Sequence, residues 1–398
     1  MRLRPGLLLL VGLGLIIFSG VTILQMRMAP VVTPPTTTIS QVVKALKAGD
    51  TLTKADWAIL RQMAADEDPA AQNVLGVALR RNKATRDQAR SLFELAAAKG
   101  EVGARYNLAV ILPDKFRTDP KIIKQRLALL QANVALGDIP SVVELANSLA
   151  PINRTAYVPD RETRRRALYA QAAATGDADY LVIYGKALWK DIRGGADPAM
   201  IATALSALGQ AYEAGDARGA ETIGKIFAHG APDVIDAVPA DWTARNPLLW
   251  FRRAGDMGLP TARCAFGLEL FRTGAWIRTA DMSLIERHFR AGPAILSNAP
   301  EDLQRALDDL EHCATDPKRL RRANPPFGQD TLYLYKQRGT YTSMSNQPGW
   351  ANLTLGVIYG YGIGVARDRD RAYGYLDTAV TRDAFDIAAQ VKAALPGF

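Results

Sequence analysis

Apolar and small residues recur along this chain with the 3.6-residue period of amphipathic helices, and the helices come in pairs. Ala351, Leu355 and Tyr359 fall at i, i+4 and i+8 on one face, and Ala372, Tyr375, Leu376 and Ala379 share a face of the next stretch. Near the start, Val42, Val43, Ala45 and Leu46, then Trp57, Leu60 and Ala64, mark two more such faces. On a longer scale, a small residue preceded by an apolar one returns about every forty positions: Leu75-Gly76, Leu108-Ala109, Leu145-Ala146, Tyr184-Gly185, Ile223-Gly224, Phe266-Gly267 and Leu355-Gly356. The steps between the small residues are 33, 37, 39, 39, 43 and 89, the last about twice the usual. A period of this size marks a solenoid, in which each unit is too small to bury its apolar face alone and stacks on a neighbour. The small residue is needed where two helices approach too closely for a side chain, so Gly76, Ala109, Ala146, Gly185, Gly224, Gly267 and Gly356 are the structural repeat positions.

A second signal runs in register with the first. Gly100-Glu101, Gly137-Asp138, Gly176-Asp177, Gly215-Asp216 and Gly255-Asp256 each precede a new unit. The glycine is expected to end one helix in a left-handed turn, and the acid to sit at the positive N-terminus of the next. Thr53, three residues before Asp56, reads as the start of another helix. Each unit is therefore helix, short loop, helix, glycine turn. Few β-branched runs and much alanine make the body all-α.

The unit from Ala351 to Ala379, with Leu355-Gly356, Tyr359, Gly362, Gly364, Asp368, Arg371-Ala372 and Tyr375, resembles the motif of the Sel-one-like repeat family, relatives of the tetratricopeptide solenoids. Ala71 to Gly100 resembles it too, through Leu75, Gly76, Asp87, Ala89, Phe93, Ala96 and Ala97, with Arg80 to Arg86 replacing the glycine-x-glycine loop. The likeness covers residues 67–282 and 350–380. It implies an αα-hairpin repeat solenoid forming a right-handed superhelix, and a scaffold role in envelope assembly, polysaccharide export, secretion or signalling complexes. Cysteine-rich members of that family are linked to penicillin binding, but this chain lacks their cysteine pair in each repeat.

Arg2 and Arg4 are followed by no charged residue from Gly6 to Met26. That run of about 20 residues is long enough to cross a bilayer. Charge at Arg2 and Arg4 places Met1 in the cytoplasm and the body beyond the membrane. A cleaved signal peptide is the alternative, although no A-x-A-like site follows the run. No cysteine stands nearby to carry a lipid. The expected organisation is a cytoplasmic tip at 1–4, a transmembrane anchor at 5–26, a proline- and threonine-rich spacer at 27–40 and capping helices at 41–66. Helical repeats follow at 67–282, a divergent repeat or insertion at 283–349, and the final repeat with a C-terminal cap at 350–398.

Of the 398 residues 48% are hydrophobic and 22% charged, enough for a packed core, and the net charge of +9 favours acidic partners. The two cysteines, Cys264 and Cys313, exclude a disulfide framework and leave two buried thiols or a single bridge open. Gly219 to Lys225 has the spacing of a phosphate-binding loop, but Ile226 replaces the hydroxyl that would hold magnesium and Glu221 would repel phosphate. His229, His288 and His312 form no H-E-x-x-H, and a zinc site from His312, Cys313, Cys264 and His288 would need adjacent ligands to point at one ion. S-x-x-K and G-x-S-x-G are absent. No catalytic residue, cofactor-binding residue or metal ligand is therefore assigned.

The basic clusters are Arg80/Arg81/Lys83/Arg86/Arg90, Arg161/Arg164/Arg165/Arg166 and Lys318/Arg319/Arg321/Arg322. No stacking aromatics interleave with them, which disfavours nucleic acid. The expectation is a non-enzymatic protein-interaction scaffold of the bacterial inner membrane with a periplasmic body, binding a protein partner in a concave groove. The alternative is a periplasmic regulator binding an acidic glycan or small ligand, and a hydrolytic enzyme is a more remote one. A scaffold needs an apolar, aromatic groove. A regulator needs the basic clusters on one face, and an enzyme needs polar groups gathered in one pocket, within 283–349.

Overall fold

The computed structural model describes residues 38–48, 50–80, 82–112, 119–149, 160–192, 197–230, 232–238, 245–273, 297, 299–315, 347–383 and 386–395. The expected membrane anchor at 5–26 lies outside the described residues. Among those that are described, no helix is long and apolar enough to cross a membrane.

Regular structure among the described residues is helical throughout. Two opening helices, α1 (Ile39–Ala48) and α2 (Lys54–Ala65), precede the repeats. The repeats then alternate. The first helices are α3 (Pro69–Arg80), α5 (Val102–Ile111), α7 (Ile139–Ser148), α9 (Ala178–Ile192), α11 (Ala217–His229), α14 (Pro260–Thr273) and α16 (Gln347–Tyr361). Their partners, the second helices, are α4 (Arg86–Ala98), α6 (Pro120–Val134), α8 (Arg161–Ala173), α10 (Pro198–Glu213), α13 (Pro247–Asp256), α15 (Pro300–Thr315) and α17 (Arg369–Asp383). A short α12 (Pro232–Asp236) lies in the connection after α11, and α18 (Asp386–Ala394) closes the chain.

From α2 onward each helix packs on the one before and the one after it in the chain, with α12 bypassed between α11 and α13, while α1 packs on α3. Contacts to the next unit but for one helix join α3 to α5, α9 to α11 and α14 to α16, all of them first helices. This nearest-neighbour pattern is that of a stacked array rather than of a globule closed on itself. The core accordingly runs along the stack as successive clusters, from Val42, Leu60 and Phe93 at one end to Leu310, Leu353 and Leu376 at the other.

Local chemistry sets the helix ends. Thr53 caps α2: its hydroxyl accepts from the Asp56 N–H while the Asp56 carboxylate accepts from the Thr53 N–H at 2.9 Å. Asp138 and Asp216 accept backbone N–H bonds at the starts of α7 and α11, and Glu101 does so for α5. Gly100, Gly137, Gly176 and Gly215 have the positive φ expected of them. The fifth turn differs from expectation. Gly255 and Asp256 continue α13, and Gly258, at φ +85°, makes the turn instead. The reason lies just beyond, where Pro260 begins the next helix and a left-handed residue two positions earlier completes the reversal.

The doubled 89-residue step also has a structural account. Helix α15 packs on both α14 and α16, so it is the second helix of the unit begun by α14. Among the described residues, α15 is the single helix between α14 and α16. Cys264 on α14 and Cys313 on α15 are joined in a disulfide, with Cα atoms 5.5 Å apart. Of the two states left open by the sequence, the bridge is the one present.

Candidate binding surface on the first helices

The repeat positions lie where first and second helices touch. A Cβ on Gly185 would stand 2.5 Å from Leu208 Cγ, one on Gly267 2.7 Å from Leu310 Cγ, and one on Gly356 2.5 Å from Leu376 Cγ. In these three the backbone oxygen four residues before the leucine (of Ala204, Ala306 and Ala372) also lies within 3.3 Å. Gly76 and Gly224 receive a ring instead, from Phe93 and Phe251, each with a ring carbon 2.7 Å from the missing Cβ. Ala109 and Ala146 are fully buried. Leucine or phenylalanine from the second helix thus enters a socket left by the first.

Beside these positions the first helices differ: Asn147 accepts from the Tyr169 hydroxyl of second helix α8 at 2.8 Å, whereas Lys190 and His229 are exposed. The positions directly after the small residue are Val77, Val110, Asn147, Lys186, Lys225, Leu268 and Val357. Those four beyond it include Lys190, His229, Arg272 and Tyr361. Of these, Val77, Val110 and Val357 are buried toward the two ends of the array, while in its middle Lys186, Lys190, Lys225, His229 and Arg272 are partly or fully exposed.

The middle is held by ion pairs with the acid inside. Glu221 has no exposed surface and pairs with Lys225 at 2.7 Å. Burial alone would push its carboxyl up, but Lys225, Lys186 and the Thr261 hydroxyl outweigh burial and hold it below its ordinary value. Lys186 is crowded by protein on most sides. That desolvation lowers its ammonium to about 8, against the pull of Glu221 in the other direction. Arg218 bridges Asp179 and Asp216, tying α11 to α9.

A pocket of about 300 Å³ opens between α11, α14 and α16, lined by Lys225, His229, Phe251, Leu268, Arg272 and Trp350 among others. Arg272 pairs with Glu269 and donates to the Ala228 carbonyl at 3.1 Å. Desolvation lowers the His229 imidazole below its ordinary value, with Arg272 and Lys225 acting in the same direction and Glu269 against them. Gln347, at the first position of α16, has a buried Oε1 with no hydrogen-bond donor.

Among the described residues, Arg165 and Arg90 of the named basic clusters do not build this surface. Arg165 is buried in pairs with Asp191 and Glu162, and Arg90 pairs with Glu94 along its own helix. Arg81 and residues 318–322 lie outside the described residues, as does His288. Gly219 to Lys225 is helical, with Glu221 buried within it, and so is no loop around a phosphate. Cys264 and Cys313 are consumed by their bridge, and no group of three acidic, histidine or cysteine side chains comes together among the described residues. The pocket residues escaped a reading by charge runs because they stand singly, about forty residues apart. Counting from each small residue would have found Lys225, His229, Leu268 and Arg272, though not Phe251 or Trp350.

Two solved structures are similar in architecture. The chain is similar to Sel1 repeat proteins. One is a protective antigen present in uropathogenic Escherichia coli strains that displays an SLR fold, 18% identical, with a TM-score of 0.43, covering 89% of this chain and 71% of the other. The second is the Sel1 repeat protein from Oxalobacter formigenes, also 18% identical, with a TM-score of 0.39, covering 89% of this chain and 94% of the other. No family model matches the chain, and no curated protein matches it. At this level of likeness, the assignment of paired helical repeats stands on the sockets and turns described above.

Proposed function

We propose that this protein is a non-enzymatic interaction scaffold of the bacterial cell envelope, held to the inner membrane by residues 5–26 with its repeats in the periplasm. Its partner is a protein that lies along the first-helix face of the superhelix. The observation that carries this reading is the pocket on that face, with an apolar and aromatic interior from Phe251, Leu268 and Trp350. A stacked array presents such a face continuously, which suits an extended segment of another chain. The bridge between Cys264 and Cys313 supports an oxidising compartment, because such bonds persist there and are rare in the cytosol. The uncharged run from Gly6 to Met26 supports the anchor.

The test is site-specific photocrosslinking in the native membrane. A photoreactive residue at Lys190 or Leu268, on first helices, is expected to capture a protein. The same residue at Glu94 or Glu213, exposed on second helices, is expected to capture none. Adducts from the second helices alone, or from no position, would overturn the reading.

A further inference from the structure

We propose that one edge of the first three repeats, where first helix passes into second, docks on an anionic phospholipid bilayer and so orients the array over the membrane that anchors it. The inference rests on the reading of residues 5–26 as that anchor, and it adds a second, electrostatic contact with the same membrane.

Each hairpin has two edges. The end of the first helix and the start of the second lie at the loop edge, and the glycine turn lies at the other. In the first three repeats the loop edge carries Lys83 and Arg86 at the entry to α4, Lys121 and Lys124 in α6, and Arg164 in α8. All five are exposed, and none forms an ion pair with another described residue. The acids of this edge are Asp87, Asp119, Asp160 and Glu162. Glu162 is taken by the buried Arg165, and Asp119 caps α6 by accepting the Lys121 N–H at 2.9 Å. Helix formation does not call for the cations. Arg86 opens α4, Lys121 is the second residue of α6 and Arg164 the fourth of α8. The N-terminus is the positive end of a helix, so a cation in the first turn is disfavoured there. Burial, followed by repulsion from Arg86, holds the Arg80 guanidinium below its ordinary value. An anion supplied from outside relieves that repulsion.

The glycine-turn edge of the same repeats has the opposite sign. Asp66, Glu67 and Asp68 precede α3, Glu101 caps α5 and Asp138 caps α7, against Lys99 and Arg105. An anionic plane attracts the loop edge and repels the turn edge, which selects one orientation of the array. Further along, the loop edge loses its basic bias: Asp197 caps α10, and Asp302 at the start of α15 pairs with Arg252. The basic repeats are thus the ones next to the anchor. From Met26 to Thr38, the first described residue, the chain spans at most about 40 Å, which keeps the first repeat within reach of the headgroups. A bilayer suits this edge better than an acidic polymer. The five cations are spread over three repeats with no carboxylate to fix their geometry, and no aromatic residue stands at 80–90, 119–126 or 160–166 for a sugar ring to stack on. Lipid headgroups move laterally to meet such charges and need no fixed register.

The experiment uses the full chain in lipid nanodiscs made of phosphatidylcholine alone or with about 30% phosphatidylglycerol. Lysines are briefly acetylated with an uncharged reagent, and the extent at each is read by mass spectrometry. A cation near an anionic bilayer gains about fivefold in its partition to the surface, so Lys83, Lys121 and Lys124 are expected to label about fivefold more slowly in the anionic discs. Lys99, at the glycine-turn edge of the first repeat, and Lys392 in α18 are expected to label equally in both. Salt at about 1 M shortens the screening length to about 3 Å and is expected to cancel the protection. Arg86→Glu combined with Arg164→Glu is expected to return Lys83 and Lys121 to their rates in neutral discs. Both arginines are exposed, and glutamate in a first turn favours the helix, so the fold is kept, which circular dichroism checks. Equal labelling of Lys83, Lys121 and Lys124 in the two discs, or protection that extends to Lys99 and Lys392, overturns the proposal. Protection by a soluble oligogalacturonate in neutral discs, with none from phosphatidylglycerol, overturns it in favour of a glycan surface. A chain that enters neither disc removes the anchor and this inference together, whereas insertion without any effect of phosphatidylglycerol removes the inference and leaves the anchor standing.

Discussion

Substitution of Gly356 by alanine tests the packing rule on which the architecture depends. A methyl there would stand 2.5 Å from Leu376 Cγ, 2.7 Å from its Cδ2 and 3.3 Å from the Ala372 carbonyl oxygen. Comfortable carbon–carbon contact is about 3.5–4.0 Å, so either Leu376 or the whole of α17 must retreat by about 1 Å. Leu376 is fully buried and has no open space to enter. Overpacking of this kind costs about 1–3 kcal/mol. Alanine in a helix interior also gains about 1 kcal/mol over glycine, so the clash must be measured against a control. Gly374 supplies that control: it lies in α17, and a Cβ there meets nothing within 4 Å. Gly374→Ala is expected to stabilise by about 1 kcal/mol, and Gly356→Ala to fall about 1–3 kcal/mol below it. Urea unfolding followed by far-ultraviolet circular dichroism gives the two midpoints. Hydrogen exchange at α16 and α17 locates the change, since repeat arrays need not unfold in one step. Trimming Leu376 to alanine in the Gly356→Ala background should cost less than the sum of the two single changes, because the new methyl fills part of the space vacated. Equal stability of Gly356→Ala and Gly374→Ala, or strict additivity with Leu376→Ala, would refute the socket.

Three further outcomes follow from other parts of the stack. Replacing both Cys264 and Cys313 by serine releases a link between residues 49 apart, worth about 4 kcal/mol on the chain-entropy view, and hydrogen exchange should rise in α14 and α15 while α3 to α5 stay unchanged. Lys186 has a folded-state value near 8 against an ordinary 10.5, so the folded chain releases its proton first, and stability relative to Lys186→Met should rise between those two pH values by at most about 3 kcal/mol. A flat difference between the two proteins over that window would show that Lys186 is not desolvated by its neighbours. Thr53→Ala removes the capping box of α2 at a cost of about 1 kcal/mol, and the resulting loss of exchange protection should be confined to α1, α2 and α3.

The parts of this fold legible in the sequence are those fixed by a single residue's shape. A socket that Leu208 or Phe251 fills leaves room for no Cβ, so the small residue is written in the chain whatever else varies around it. A reversal between helices needs a left-handed residue, and Gly100, Gly137, Gly176 and Gly215 supply it. Where two glycines compete, that reasoning needs one more fact. Gly255 carries the alanine-glycine-aspartate signature of the other turns, yet Gly258 turns, because Pro260 fixes where the next helix begins. The bridge from Cys264 to Cys313 was not decidable from composition. It depends on α15 being the partner of α14 across a long connection, and that pairing is a matter of tertiary packing.

The candidate site was hidden for a related reason. Runs such as Arg164 to Arg166 draw attention, yet Arg165 turns inward to Asp191 and Glu162, and adjacent residues on a helix point in different directions. Lys225, Leu268 and Arg272 share one pocket because they hold equivalent places in successive units, which distance along the chain conceals. The slim residue is the origin from which those places are counted. Lys186 and Lys225 each stand one position after it, and His229 and Arg272 five positions after it. The constraint that makes the helices stack therefore also fixes the places from which Lys225 and Arg272 reach the pocket. At that same offset Val77, Val110 and Val357 are buried, so the offset gives surface in the middle of the array and core toward its ends.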